Sequence, residues 1–142
     1  AEYAIRVAAR LADVPRDSWS DAANLADELD IPANYLSKLM HQLVGSGILE
    51  SRRGRGGGFR LARAARELTL REVVTPFDPP DRWHECFLGG KRCSAASACE
   101  VHDVWKPIAV SMSVFLSNTT VAQLAARRVA RPRGRKRTRG AA

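Results

Sequence analysis

Apolar residues recur along this chain at helical intervals, in short blocks separated by proline, glycine and polar breaks. Over residues 2–13, Ile5, Ala8, Leu11 and Ala12 fall on one side of a helix and Arg6 and Arg10 on another, which predicts a first amphipathic helix. The stretch VPRDSW at 14–19 breaks that period. Ser20 is then placed to cap a second helix with Leu25, Ala26 and Leu29 facing inward. Asp30 follows, and Pro32 suits the first position of a third helix, where the N–H it lacks would have no helical partner. Leu36, Leu39, Met40 and Leu43 supply the third helix with its buried stripe. A second and third helix joined by so short a link predict a helix-turn-helix unit.

The next block changes period. Gly45 and Gly47 end the third helix, Ile48–Ser51 and Phe59–Leu61 read as short strands, and RRGRGGG lies between them. Consecutive glycines allow backbone angles closed to other residues, so this is a hairpin tip with little bulk and three arginines, Arg52, Arg53 and Arg55. A hairpin of that kind after a helix-turn-helix describes the wing of a winged helix. Thr69 with Glu72 three residues on forms a capping box for a brief helix carrying Leu70, Val73 and Val74. Pro76, Pro79 and Pro80 close it.

Beyond Cys99, the residues Val101, Val104, Trp105, Ile108, Met112, Phe115 and Leu116 repeat at steps of mostly three or four. On a helix projecting from a small domain, such a stripe is best used as a seam between two copies of the chain. Pro107 requires that the regular helix begin near Lys106 or kink near Asp103. Thr119 or Thr120 is positioned to cap a last short helix. The expected fold is mainly α with a small β-hairpin wing: a winged helix-turn-helix DNA-binding domain over 1–75, a cysteine-bearing sensor loop and dimerisation helix over 76–128, and a disordered basic tail over 129–142.

Charge sharpens this picture. The 142 residues carry a net charge of +8, of which six units sit in the tail on Arg131, Arg133, Arg135, Lys136, Arg137 and Arg139, leaving +2 for the rest. Such a balance favours a polyanionic partner, and the tail adds non-specific affinity for nucleic acid. No apolar run approaches the roughly 18 residues of a membrane span, and no secretory pattern opens the sequence, so a cytoplasmic protein with no membrane partner is expected. Three cysteines cannot all pair within one chain, which makes a disulfide framework the weaker reading.

Those three cysteines lie together in the stretch ECFLGGKRCSAASACEVHDVW. Six residues separate Cys86 from Cys93, five separate Cys93 from Cys99, and His102 follows at the start of the next helix. Thiolates and imidazole suit zinc, copper(I) or an iron–sulfur cluster, and the wide gaps leave room for more than one ion. Two other uses stay open: reduced thiols that respond to oxidation or hold zinc, and an enzyme with Cys99 as nucleophile and His102 or His84 as base. The enzyme reading lacks an orienting third residue and an oxyanion loop.

The stretches YAIRVAARLA, IPANYLSKL, GRGGGFRLAR and LTLREVV, with three cysteines followed by H-x-x-W, resemble the IscR/NsrR-type (Rrf) family of bacterial winged-helix transcription regulators up to residue 128. The resemblance implies a cytoplasmic, non-enzymatic homodimer whose binding to DNA is set by an iron–sulfur cluster, 2Fe–2S ahead of 4Fe–4S. Carried over by position, its ligands are Cys86, Cys93 and Cys99 with His102, or in the NsrR-like manner the partner subunit's Glu2. The alternative within the same fold is a cluster-free regulator that uses thiols or zinc. This chain has one residue more between the first two cysteines than many cluster-bearing members, and Arg55 where relatives often have proline. A two-fold dimer would read a roughly palindromic operator. Asn34, Tyr35, Ser37 and Lys38, with Gln42 further along, are the expected major-groove contacts, and Arg52, Arg53 and Arg55 the wing contacts.

Overall fold

Small side chains decide how the helices of this chain meet. In the computed structural model, helix α1 (Glu2–Ala12) buries Ala4, Val7, Ala8 and Leu11 almost completely. Methyl groups at Ala4 and Ala8 let neighbouring backbones come close, and α1 packs at once against α2 (Ala22–Leu29), strand β2 (Gly58–Leu61), α4 (Leu70–Val74) and α6 (Val121–Val129). The structure describes residues 1–78, 85–89 and 94–129. His84, Cys93 and the basic tail from 130 onward lie outside the described residues.

Helix α2 is capped by Asp21, whose carboxylate accepts the Ala23 and Asn24 N–H groups at 2.9 and 3.2 Å. Ser20, expected in that role, is instead held in extended backbone pairing. Its N–H donates to the Phe59 carbonyl at 3.0 Å, and its carbonyl accepts the Phe59 N–H at 2.9 Å. Asp30 ends α2 in the left-handed region (φ 53°), which a short polar side chain tolerates, and so turns the chain into α3 (Ala33–Gly45). Pro32 is the residue before that helix rather than its first member. The expected stripe of Leu36, Leu39, Met40 and Leu43 is buried in the common core.

Strands β1 (Leu49–Arg52) and β2 pair antiparallel, from Leu49 opposite Leu61 to Arg52 opposite Gly58. Phe59 also pairs with Ser20, so the loop before α2 is bound to the outer edge of the second wing strand. Gly58, at φ 139°, runs directly beneath the Ser20 carbonyl, where any Cβ would overlap it.

Helix α5 (His102–Asn118) begins four residues earlier than Lys106 and carries Pro107 inside it. The cap of α6 is Thr120: its Oγ1 accepts the Gln123 N–H at 3.2 Å while Gln123 Oε1 accepts the Thr120 N–H at 2.9 Å. Around this cap the chain is stitched to the segment before α4. Leu70 N–H donates to Thr119, Val121 N–H to Leu68 and Ala122 N–H to Ala65, at 2.9, 2.8 and 3.0 Å. Arg71 Nη1 reaches from α4 to Ser113 and Ser117 Oγ at 2.8 and 3.2 Å. Leu116 and Val121 therefore share one core with Ala4, Val7 and Leu43. No helix among the described residues is long and apolar enough to cross a membrane.

Thr69 and Glu72 form the expected capping box on α4, and Glu72 also accepts Arg63 at 2.6 Å. Burial pushes the Glu72 carboxyl up, but hydrogen bonds from Arg63 and from the Thr69 N–H and hydroxyl outweigh it and hold the group below its ordinary value of 4.5. A carboxyl held low in the folded state stabilises fully above its unfolded pKa, and that contribution fades as pH falls through the lower folded value. Glu72→Gln is therefore expected to be less stable than the wild type at pH 7 in urea unfolding, with the gap narrowing steadily below pH 4.5. Thr69→Ala should cost about 1 kcal/mol, the usual value of a lost helix cap.

Candidate functional site

The exposed side of α3 is a candidate reading face. With Leu36, Leu39, Met40 and Leu43 turned inward, Asn34, Lys38 and His41, spaced i, i+4 and i+7, line the opposite side and are exposed, with exposed Ser37 beside them. A carboxamide, an ammonium and an imidazole in a row can hydrogen-bond base edges and phosphates. His41 was not among the expected contacts, although its spacing from Asn34 and Lys38 in the sequence already assigns it to this face.

Two expected contacts are engaged elsewhere in part. Tyr35 is 46% exposed and sets its ring edge-on against Tyr3 of α1, centroids 5.3 Å apart. Gln42 donates through Nε2 to the Pro76 carbonyl at 2.6 Å, which ties α3 to the segment after α4. Asn34 Oδ1 accepts the Tyr35 N–H at 2.9 Å, leaving its amide nitrogen as the outward donor.

The three wing arginines divide in the same way. Arg52 folds back, donating to the Gly56 carbonyl at 3.0 Å with its guanidinium 5.2 Å from the Trp19 ring centre. Arg60 covers the same indole at 4.4 Å, bonds Glu50 at 2.9 Å and reaches the Arg16 carbonyl at 3.3 Å. Trp19 thus anchors one cation from each wing strand. No local pattern announces this, because Trp19 stands in a polar loop far along the chain from either arginine. Arg53 and Arg55 stay exposed at the tip.

A second site forms at the start of α5. The sulfurs of Cys86 and Cys99 lie 3.4 Å apart. Cys99 sits just before the helix, its carbonyl accepting the His102 N–H at 3.0 Å. Cys86 is held by its neighbours: Trp105 Nε1 donates to the Glu85 carbonyl at 3.2 Å, and the Phe87 ring leans on Trp105 with centroids 5.1 Å apart. The Val101 backbone N–H favours the Cys99 thiolate, yet the contact with Cys86, desolvation and the neighbouring sulfur's charge together leave the thiol above its ordinary range. The extra residue in the spacer has not carried Cys86 away from Cys99. His102 opens α5 beside the pair, whereas Glu2 stands exposed on α1, 3.8 Å from Arg6. No group of three or more potential metal ligands converges among the described residues, to which Cys93 does not belong.

Three helices followed by a two-stranded hairpin, with a polar exposed side on the third helix, define the fold of the winged-helix DNA-binding regulators. Residues 1–127 match the model of the Rrf2 family, described as an iron-dependent transcriptional regulator, and the chain belongs to that family. It is 31% identical over 124 residues to an HTH-type transcriptional regulator of Aquifex aeolicus (strain VF5), covering 86% of this chain and 85% of that one. The transcriptional regulator IscR of Serratia proteamaculans (strain 568) is 31% identical over 102 residues, 72% of this chain and 62% of its own length. Among solved structures, CymR, the global cysteine regulator of B. subtilis, superposes with a TM-score of 0.75 at 19% identity, over 89% of this chain and 92% of its own. IscR of T. potens superposes with 0.72 at 18% identity, over 94% and 89%. At those identities the two structures speak for the fold alone.

Alanine at Asn34, Lys38 or His41 is expected to weaken binding to a duplex selected from a random-sequence pool, by about 1–3 kcal/mol where a base edge is read. Gln42→Ala should change it by less than about 0.5 kcal/mol, as for a surface position off the interface. Fluorescence anisotropy titrations decide; a larger loss for Gln42→Ala than for Lys38→Ala would move the reading face around the helix.

Proposed function

We propose that this chain is a homodimeric transcriptional regulator whose operator occupancy depends on an iron–sulfur cluster held by Cys86, Cys93, Cys99 and His102. The observation that carries the reading is the 3.4 Å approach of the Cys86 and Cys99 sulfurs at the start of α5. Two thiolates on one tetrahedral ion with metal–sulfur bonds of about 2.3 Å stand about 3.8 Å apart. The pair therefore fits a shared metal centre with a shift of a few tenths of an ångström. The family's description as iron-dependent and the kinship with proteins named IscR agree with this donor set. His102 is the fourth ligand favoured by position, being in the first turn of the helix that follows Cys99. The partner subunit's Glu2 is the other option.

When bound, the cluster supplies a redox-active, nitric-oxide-sensitive centre that joins the cysteine loop to α5. The chain's own residues do the rest. Trp105 fixes the Cys86 loop on α5, and Arg71 fixes α5 on α4. Exposed Val104, Ile108, Met112 and Phe115 give α5 an apolar outer face suited to the same face of a second copy. Two copies present two α3 reading faces to a roughly palindromic operator, with Arg53 and Arg55 of each wing along the adjacent groove. The work of the chain is binding rather than catalysis.

Anaerobically purified protein is expected to be coloured and to contain iron with acid-labile sulfide, and Cys86→Ala should lose both while keeping its helical circular dichroism. Zinc without sulfide, or a colourless protein even after reconstitution, would establish the cluster-free regulator of the same fold instead. Phe115→Glu paired with Ile108→Glu should convert the dimer to a monomer in sedimentation and weaken operator binding at least about tenfold, or 1.4 kcal/mol. A dimer that survives both changes would place the seam elsewhere.

A further inference from the structure

The contact between Cys86 and Cys99 has a second chemistry that needs no metal. We propose that in the cluster-free protein these two residues close a reversible intramolecular disulfide when they meet a peroxide. The inference goes beyond the cluster reading and does not rest on it.

The geometry favours this pair. A disulfide has a sulfur–sulfur bond of about 2.05 Å, so the observed 3.4 Å has to close by about 1.4 Å. Motion on that scale is available to side-chain rotation, with the backbone on both sides already fixed. Cys99 is set by the first turn of α5 through its carbonyl and the His102 N–H. Cys86 is set by Trp105, through the hydrogen bond to Glu85 and the ring contact with Phe87. Both thiols are only half-buried, which leaves them open to a small oxidant.

The step balances in two stages. The sulfur of one cysteine attacks a peroxide oxygen, the O–O bond breaks and hydroxide leaves, giving a sulfenic acid and, after protonation, water. The thiolate of the other cysteine then attacks the sulfenic sulfur, the S–O bond breaks and a second water is formed. Two thiols and one hydrogen peroxide thus become one disulfide and two waters. A dithiol restores both cysteines by exchange and is itself oxidised. Intracellular disulfides of this kind are transient and sensing rather than structural. The bond would also occupy two of the three thiols needed to hold a cluster, so an oxidised protein could not be loaded until it was reduced.

The test uses the full chain, stripped of metal with a chelator, reduced, desalted without oxygen and given one equivalent of hydrogen peroxide before thiol alkylation. Peptide mass spectrometry under non-reducing conditions should find a Cys86–Cys99 cross-link with the mass of two hydrogens lost and with Cys93 alkylated. Cys93→Ser should keep the cross-link, Cys86→Ser and Cys99→Ser should each abolish it, and dithiothreitol should reverse it. A bond to Cys93, a bond between two chains, or alkylation of both Cys86 and Cys99 overturns the proposal. Because the assay contains no iron, it passes or fails independently of whether the protein ever carries a cluster.

Discussion

Everything in this molecule hangs on the methyl-lined face of α1. Ala4 and Ala8 are fully buried, and α2, α4, α6 and the second wing strand all pack against the same helix. A larger side chain at either position would force several elements apart together, because a close-packed interior has no slack to absorb it. The consequence is that the winged-helix elements and α5 are not independently built. Leu116 at the end of α5 and Val121 at the start of α6 are buried with Val7 and Leu43, so the helix that follows the cysteine pair ends in the core that supports α3.

The same economy governs the two functional surfaces. Side chains of identical type are split between holding and presenting. Arg52 and Arg60 are spent on Trp19 and the hairpin, which frees Arg53 and Arg55 for the tip. On α3, Gln42 is spent on Pro76, which leaves Asn34, Lys38 and His41 in front. A wing tied along its strands by cation–π contacts and a backbone bridge loses less freedom on meeting DNA than a glycine loop hung from two strands alone.

What could be read from the sequence was what local rules decide. The stripe of α3, the Thr69–Glu72 box, a threonine cap at 119 or 120 and the glycine hairpin all follow from residues within one or two turns of each other, and all are found, the cap at Thr120. What escaped depends on distant partners. Ser20 is as good a cap as Asp21 by local rules, and only pairing with Phe59 removes it from that role. Tyr35 meets Tyr3, Gln42 meets Pro76 and Trp19 meets Arg60, none of which spacing along the chain can announce. In the cysteine segment the ligand types were legible and the distance between Cys86 and Cys99 was not, since two residues thirteen positions apart have no local rule that sets their separation in space.

The stitching at the end of α5 also gives that helix a mechanical character. Backbone bonds at Thr119 and Val121 and the Arg71 contacts to Ser113 and Ser117 fasten its last turns, while Val104 and Ile108 near its start stand in the open. Helix α5, 17 residues and roughly 25 Å long at 1.5 Å per residue, is therefore held from Ala109 to its end and adjoins the thiol pair at its opposite end. A lever held that way would pass a displacement imposed at the thiol end to Arg71 and the capped turn of α4, which packs against α1.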